Sequence, residues 1–239
     1  CEKLVMRSSS FITASSQYEN NLISENYDID KKKINQITPG VDRKVFVLDE
    51  NIKRENILLS IGRIQEQKRQ LDVLKFLDNF RKIDSNFLCY FVGGPSGKSG
   101  DDYLIQLKDN VKELNLESNT EFLGNLTQIK IKELMNRSKL LIHTSHFETF
   151  GLVAIEANTM GVPVLTTNQG SLSEIVENNV NGYLKEDLIN SQVNNFVKNL
   201  LNDDKQFQKF QMNCHEKSKK FDWKSTAKEL ENLYNSALI

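Results

Sequence analysis

Short apolar segments alternate with longer amphipathic segments along most of the chain. Ile57–Ile61 is a short run that is apolar except for Ser60, and it predicts a buried strand. After it, Leu71, Leu74 and Leu77 recur at helical spacing, which predicts a helix with one face on a sheet. Alternation of such strands and helices is typical of parallel βαβ units. The pattern therefore predicts an α/β fold with a doubly wound, Rossmann-like parallel sheet.

The same alternation continues to the middle of the chain and then changes. Beyond Gly182-Tyr183-Leu184 the pattern is helical only, which predicts a helical carboxyl-terminal tail. The further predicted strands are 87–92, 120–123, 139–143 and 164–167, and the further predicted helices are 103–114, 129–135, 150–160, 191–201, 204–219 and 222–238.

The first 42 residues differ from the rest. Residues 11–14 and 34–37 predict two strands around one helix, which is too little for an independent domain. We therefore predict a remnant of a preceding domain over 1–42, a linker over 43–51 and a second domain over 52–239. The start at Cys1 rather than Met predicts a truncated or processed product.

Composition narrows the classes of function. The net charge is −1 and the basic residues form no stripe, so nucleic acid is not expected as a partner. The three cysteines are far apart, which predicts no disulfide framework and fits a reducing compartment. No segment reaches the ~20 apolar residues of a membrane span, and no signal peptide is recognisable. A cytoplasmic protein is predicted.

Loops after the strands are the places to look for chemistry, because doubly wound sheets bind ligands at the carboxyl ends of their strands. Gly62-Arg63, with Lys68 five residues later, follows the strand at 57–61. Two cations at a strand end suit a diphosphate. Taken alone, however, the pair is better explained as two surface cations at the start of a helix.

Gly93–Gly100 resembles a phosphate-binding P-loop in composition. The required first glycine falls at Val92, so the register fails by one residue. We therefore interpret this glycine-rich segment as a flexible loop beside a ligand. A P-loop kinase or ATPase built on Gly97-Lys98-Ser99 stays open as the less favoured alternative.

The segment after the strand at 139–143 carries the most specific pattern. Glu148 lies on a loop, Glu156 about two turns into the next helix, and Gly151 at the helix entrance. Amide groups at a helix start favour an anion, and glycine lets it approach closely. The two carboxylates suit the hydroxyl groups of sugars attached to such an anion. Asn168–Ser171 with Glu174 forms another loop at the same sheet edge.

His143 and His146 lie beside this segment and are the candidate metal ligands of the sequence. They lack a third nearby carboxylate or cysteine, so no metal site is predicted.

Together these motifs resemble the carboxyl-terminal, donor-binding half of family-4 glycosyltransferases of the GT-B fold. The resemblance covers nearly the whole chain and is carried most strongly by Glu148, seven residues, Glu156. Two positions depart from the family pattern: Ser171 replaces a usual second glycine, and Arg69 stands where glycine is common. The supporting segments are Ser60–Arg63 with Lys68, Gly161–Val164, Asn181–Leu184, Ala14–Ser16, Pro39–Asp42 and Phe221–Trp223.

The resemblance implies a retaining hexosyltransferase that needs no metal or other cofactor. Arg63 and Lys68 would neutralise the departing diphosphate, Glu156 would bind the ribose, and Glu148 would face the donor sugar. The anion site would be completed by the backbone amides of Phe150, Gly151 and Leu152.

The implied partners are a UDP-, GDP- or ADP-sugar and an acceptor hydroxyl on a glycan, a lipid-linked glycan or a small molecule. The opposing amino-terminal domain would hold the acceptor, and a location in the cytoplasm or at the inner membrane face through that domain is expected. The isolated chain is therefore expected to bind donor without transferring sugar. A non-catalytic nucleotide-sugar-binding module is the main alternative.

Overall fold

A six-stranded parallel sheet forms the centre of the molecule. The computed structural model describes residues 2–237, so the predicted ends at Cys1 and Leu238 lie outside the described residues. The spatial strand order is β5-β4-β3-β6-β7-β8, and every neighbouring pair is parallel. These strands are β3 Ile57–Ile61, β4 Leu88–Val92, β5 Thr120–Gly124, β6 Leu140–His143, β7 Val164–Thr166 and β8 Gly182–Leu184.

Strand order reverses between β3 and β6, which creates the crevice where doubly wound sheets bind ligands. Helices cover both faces of the sheet, as predicted, and a helical tail follows β8. The helices of this region are α3 Gln70–Arg81, α4 Gly97–Glu113, α5 Gln128–Arg137, α6 Leu152–Thr159, α7 Leu172–Ile175, α8 Ser191–Asn202, α9 Asp204–Ser218 and α10 Trp223–Ala237.

Alternate residues of the strands point to opposite faces, and each face has its own core. On β3, the side chain of Leu58 packs with α3, α4 and α8. Its neighbours Ile57 and Leu59 pack on the other face with α5, α6 and α7. Both faces are apolar, which explains why these strands are continuous hydrophobic runs without alternation.

The amino-terminal segment forms a small unit of its own. β1 Ile12–Ala14 and β2 Ile34–Gln36 pair in parallel, with α2 Gln17–Tyr27 between them. Ser16 caps α2 by accepting from the Glu19 amide at 3.1 Å. A small cluster of Ala14, Ile23, Ile29 and Ile34 is its core. The two predicted strands are thus confirmed, whereas the division into domains stays a prediction.

A short helix, α1 Glu2–Ser8, precedes this unit and was not predicted. None of its residues is buried, and Leu4 and Val5 are largely exposed. The apolar residues of α1 therefore contribute little to the described core, so core periodicity gives no signal for it.

The interpretation of Gly97–Gly100 as a flexible loop was wrong, because these residues form the first turn of α4. Gly100 lies against the loop after β3, where an added Cβ would come within 2.8 Å of the Ile64 carbonyl oxygen. Glycine at this position therefore allows close packing of a helix. The irregular part of the segment is limited to Gly93–Ser96.

Candidate functional site

The loops that carry the predicted site residues meet at the carboxyl edge of the sheet, around the reversal between β3 and β6. Arg63 follows β3, Glu148 follows β6, and Ser171 lies beyond β7. The loop after β6 reaches the segment after β3, because the His146 amide donates to the Gln67 carbonyl at 2.8 Å. The fold therefore brings together residues that are about 80 positions apart in sequence.

Glu148 is held by two basic side chains. Its Oε2 accepts from Lys68 Nζ at 2.8 Å and lies 2.9 Å from His143 Nε2. Burial raises the pKa of this carboxyl group, but hydrogen bonds and charge from His143 and Lys68 outweigh burial, and the pKa falls to about 2. Glu148 is therefore an ionised carboxylate at neutral pH.

His143 thus has a role that sequence reasoning missed. It lies at the end of β6, and its side chain is only 5% exposed. No cluster of three or more residues suited to binding a metal occurs among residues 2–237. The sequence carried one signal for this pairing, since a histidine ends the predicted strand five residues before a glutamate in the following loop. His146, in contrast, is exposed to solvent.

The two predicted phosphate-binding cations differ in their surroundings. Lys68 ends a single turn of 3-10 helix and is paired with Glu148, as described above. Arg63 is exposed and forms no salt bridge with the residues that the structure describes. Its backbone carbonyl accepts from the buried Gln70 side chain at 2.9 Å, which fixes the course of this loop. Arg63 is thus available to an external anion. Lys68 is already paired with Glu148, so it would contact an external anion and Glu148 at the same time.

Arg69 shows why glycine suits the position after Lys68. Its backbone is left-handed, with φ 53° and ψ 38°, a conformation uncommon for residues other than glycine. The Arg69 guanidinium forms a salt bridge with Asp72 at 2.5 Å. The departure from the family pattern leaves the left-handed turn in place and adds an ion pair.

The entrance of α6 presents uncapped backbone amides to the crevice. Gly151 is the N-cap residue with φ 86°, and no side chain caps the helix. A Cβ at Gly151 would lie 2.8 Å from Leu172 Cδ2, so both conformation and packing favour glycine. Amide groups at a helix start attract anions, as expected from the sequence.

Glu156 lies on the same helix, little more than one turn from its start rather than the predicted two. Its carboxylate accepts no hydrogen bond from the residues in the described part of the chain. Burial raises its pKa to about 7, because no charged group compensates for the loss of solvent. A half-buried carboxyl group without a partner is suited to hydroxyl groups of a ligand.

Backbone contacts also hold the Glu148 loop in place. The Glu148 carbonyl accepts from the Ser171 amide at 2.9 Å and from its hydroxyl at 3.2 Å. On the other side, Ser16 Oγ donates to the Thr149 carbonyl at 2.6 Å. Sequence reasoning did not foresee the contact with Ser16, because 133 residues separate the two partners.

The glycine-rich loop after β4 lies at the same edge. The Gly94 amide donates to Asn125 Oδ1 at 2.7 Å, so this amide is engaged within the protein. The Lys98 side chain is exposed on the first turn of α4. The loop thus lies near the crevice, but Gly94 is not an open phosphate-binding amide.

None of the helices within residues 2–237 has the length and apolar character needed to span a membrane.

Comparisons with known proteins identify sequence relatives along the whole chain. The sequence model of the family "Glycosyl transferases group 1" matches residues 43–221. D-inositol 3-phosphate glycosyltransferase from Corynebacterium glutamicum strain R is 26% identical over 254 residues, covering 100% of this chain and 60% of the relative. The enzyme of the same name from Corynebacterium kroppenstedtii is 23% identical, with 100% and 56% covered. The chain therefore spans less than two thirds of these relatives.

Solved structures show the fold. Anabaena HepE in complex with UDP superimposes with a TM-score of 0.84 at 22% identity, over 98% of this chain and 65% of that one. A C-terminal domain of a glycosyl transferase group 1 family protein from Francisella tularensis gives a TM-score of 0.67 at 24% identity, over 77% of this chain and 100% of that one. The prediction of a Rossmann-like GT-B carboxyl-terminal domain is confirmed.

Proposed function

Because the chain belongs to the glycosyl transferases group 1 family, we propose that it supplies the donor site of a retaining glycosyltransferase. Such an enzyme moves a sugar from a nucleotide-diphosphate sugar to an acceptor hydroxyl. One observation carries the proposal. The ionised Glu148 and the partnerless Glu156 flank the uncapped start of α6, beside Lys68, at the reversal of strand order.

Charge complementarity argues for a diphosphate in this crevice. The start of α6, Arg63 and Lys68 are all positive features at one edge, and among residues 2–237 Glu148 is the one acidic side chain that pairs with any of them. A diphosphate near Arg63 and the amides of residues 150–152 would balance this charge. Lys68 would then bridge the phosphate and Glu148, so its ammonium group would hold both anions in place.

The two glutamates are suited to different parts of the donor. Glu156, whose carboxylate has no hydrogen-bond partner among residues 2–237, would accept hydrogen bonds from the ribose hydroxyls. Glu148 would face the donor sugar, orient its hydroxyls and stabilise positive charge that develops at the anomeric carbon. A fixed, ionised carboxylate performs this role well because it needs no reorganisation during the reaction.

The donor and acceptor fit the same two-domain scheme. UDP in the HepE complex is the precedent for a uridine nucleotide, and GDP- and ADP-sugars are the other donors considered. We assign residues 1–42 to the acceptor-side domain, 43–51 to the linker and 52–239 to the donor domain. The acceptor hydroxyl, on a glycan, a lipid-linked glycan or a small molecule, would be held by the opposing domain. The enzyme would work in the cytoplasm or at the inner membrane face.

Isothermal calorimetry of the 239-residue chain with UDP-glucose, a GDP-sugar and an ADP-sugar tests the donor site. We expect weak binding of one of them without magnesium, together with a higher melting temperature, since the ligand binds only the folded state. No transfer to any acceptor is expected, because positioning of the acceptor can contribute about 7–11 kcal/mol to catalysis. Binding of none of the three would contradict the proposal.

The same titrations separate the alternatives. Magnesium-dependent ATP binding without nucleotide-sugar binding would favour the P-loop kinase. A non-catalytic binding module predicts the same affinity but no turnover after the opposing domain is restored in the full-length protein. Turnover in that full-length protein would therefore exclude the binding module.

Replacing Arg63 and Lys68 together by alanine tests the phosphate contacts. We expect the affinity for UDP to fall by roughly 10–100-fold, since charged hydrogen bonds contribute about 1.5–3 kcal/mol. Uridine, which lacks phosphate, should lose less than about threefold. Lys75→Ala, an exposed cation on α3, is the matched control. Equal losses for UDP and uridine would mean that these cations do not contact phosphate.

A further inference from the structure

Glu174 connects the amino-terminal segment to the donor domain. It lies on α7, and its two carboxylate oxygens accept from the backbone amides of Gln17 at 3.0 Å and Tyr18 at 2.9 Å. These are the first two residues of α2. Amides at a helix start have no partner within the helix, and a carboxylate there is also favoured by the helix dipole.

Capping alone does not explain this contact. Ser16 already caps α2 from within, by accepting from the Glu19 amide. The amides of Gln17 and Tyr18 could be satisfied by water, since the Gln17 hydrogen bond is exposed. What Glu174 adds is a link between two segments that are 156 residues apart in sequence.

The same two segments hold the Glu148 loop from opposite sides. Ser16, next to the amides that Glu174 binds, donates to the Thr149 carbonyl. Ser171, three residues before Glu174, donates to the Glu148 carbonyl. The rings of Tyr18 and Phe147 pack with centroids 5.9 Å apart. Glu174 therefore closes a ring of contacts around residues 147–149.

We infer that Glu174 is a positioning residue for Glu148, acting through the start of α2 and through α7. If Glu174 is lost, α2 can move away from α7, and the Thr149 and Glu148 carbonyls are no longer held between them. The Glu148 carboxylate, which the proposed function places against the donor sugar, would then lose its position. This inference rests on the proposed function for its effect on ligands, but the ring of contacts exists without a ligand.

Hydrogen exchange of the 239-residue chain without ligand provides the first test. Glu174→Ala should speed amide exchange by more than about tenfold at Gln17 and Tyr18 and also within residues 147–149. Glu177→Ala is the matched control, because the Glu177 side chain is exposed and forms a salt bridge with Lys217, away from α2. Glu174→Gln should restore part of the protection, since its amide oxygen still accepts one hydrogen bond.

Calorimetry with UDP-glucose and UDP provides the second test. In Glu174→Ala the affinity for UDP-glucose should fall by roughly 5–10-fold, because Glu148 contacts the sugar, while that for UDP changes less than about twofold. Faster exchange at Gln17 and Tyr18 alone, or equal losses for both ligands, would overturn the inference. If the parent chain binds neither ligand, the proposed function fails, and exchange at residues 147–149 still decides whether Glu174 holds the loop.

Discussion

Cations lie at both edges of the six-stranded sheet, but they find their partners in different places. At the amino edge, before β3 and β6, Arg54 and Lys139 are bound mainly by backbone carbonyls. At the carboxyl edge, Lys68 pairs with a side chain and Arg63 has no salt bridge within the described chain. The same residue types thus bind the protein's own backbone at the amino edge, whereas at the carboxyl edge Arg63 remains available to a ligand.

Helix direction explains the difference. In a parallel α/β sheet the helices end at the amino edge, where their last carbonyls collect, and begin at the carboxyl edge, where their first amides collect. Arg54 donates to the carbonyls of Met135, Ser138 and Met160, which follow or end α5 and α6. Lys139 donates to the Leu201 carbonyl near the end of α8 at 2.7 Å.

The comparison teaches how to judge a charged residue in such a fold. A cation at the amino edge is neutralised by the chain itself, and there it stabilises the protein. A cation at the carboxyl edge adds to the positive helix ends, so it favours an external anion. The edge, more than the residue type, separates structural cations from candidate binding residues.

Removing Arg54 should have the largest effect on stability. Arg54→Met removes a donor from three backbone carbonyls, so we expect unfolding free energy to fall by about 3–5 kcal/mol. Urea denaturation measures the loss. The exposed neighbour gives a control, Lys53→Met, which should change stability by less than about 0.5 kcal/mol. A loss below 1 kcal/mol in Arg54→Met would break the distinction between the two edges.

Burial of Glu156 at the carboxyl edge should lower the free energy of unfolding at neutral pH. Its pKa is raised from 4.5 to about 7, so the folded state binds a proton that the unfolded state has released between these pH values. Its contribution to stability is therefore present below pH 4.5 and is lost as pH rises through 7, by on the order of 2–3 kcal/mol. Glu148 has the opposite sign, since its contribution is lost as pH falls from 4.5 through about 2.

Glu156→Gln tests this cost by denaturation at several pH values. The loss of stability between pH 4.5 and 7 should largely disappear in the variant, whereas UDP-glucose should bind less tightly. Glu113→Gln, at an exposed position of α4, should leave the pH profile as in the parent. A variant with the parent's pH profile would show that Glu156 is solvated in the folded protein.

Replacing Lys98 should have the smallest effect, because we expect the ligand site to end before α4. Its side chain is exposed, and we expect Lys98→Ala to change UDP-glucose affinity by less than about threefold and stability by less than about 0.5 kcal/mol. Single replacement of Lys98 is preferable to a double change with Gly97, whose φ of 67° disfavours alanine. A large loss of affinity would extend the binding edge to α4.

Local pattern was sufficient for five of the six strands of the main sheet and for most helices, whereas β8 was not predicted as a strand. The strand at 57–61 has the predicted bounds because both faces of it are buried and its residues are all β-compatible. The start of α4 was missed, since glycine at position 100 is needed for packing and resembles loop composition. α1 was missed because it buries none of its residues.

The candidate site was only partly accessible from sequence. Spacing made Glu148 and Glu156 candidates, and the positions of strand ends made Arg63 and Lys68 candidates. The pairing of Lys68 with Glu148 depends on tertiary contact, as does the role of Glu174, so no local pattern could indicate either. Arg54 and Lys139 escaped notice for the same reason, because their partners are backbone carbonyls that carry no sequence signal.

Arg54 also has a consequence for the order of folding. The carbonyls that it binds lie 81, 84 and 106 residues further along the chain, so its full set of hydrogen bonds forms only after the four βα units from β3 through α6 are in place. Contacts this distant in sequence form late, because closing a long loop costs entropy before any contact compensates for it. We therefore expect Arg54→Met to accelerate unfolding while leaving the refolding rate nearly unchanged, which stopped-flow kinetics in urea can measure. The Arg54 guanidinium would then slow the unfolding of the completed sheet without affecting how fast the sheet forms.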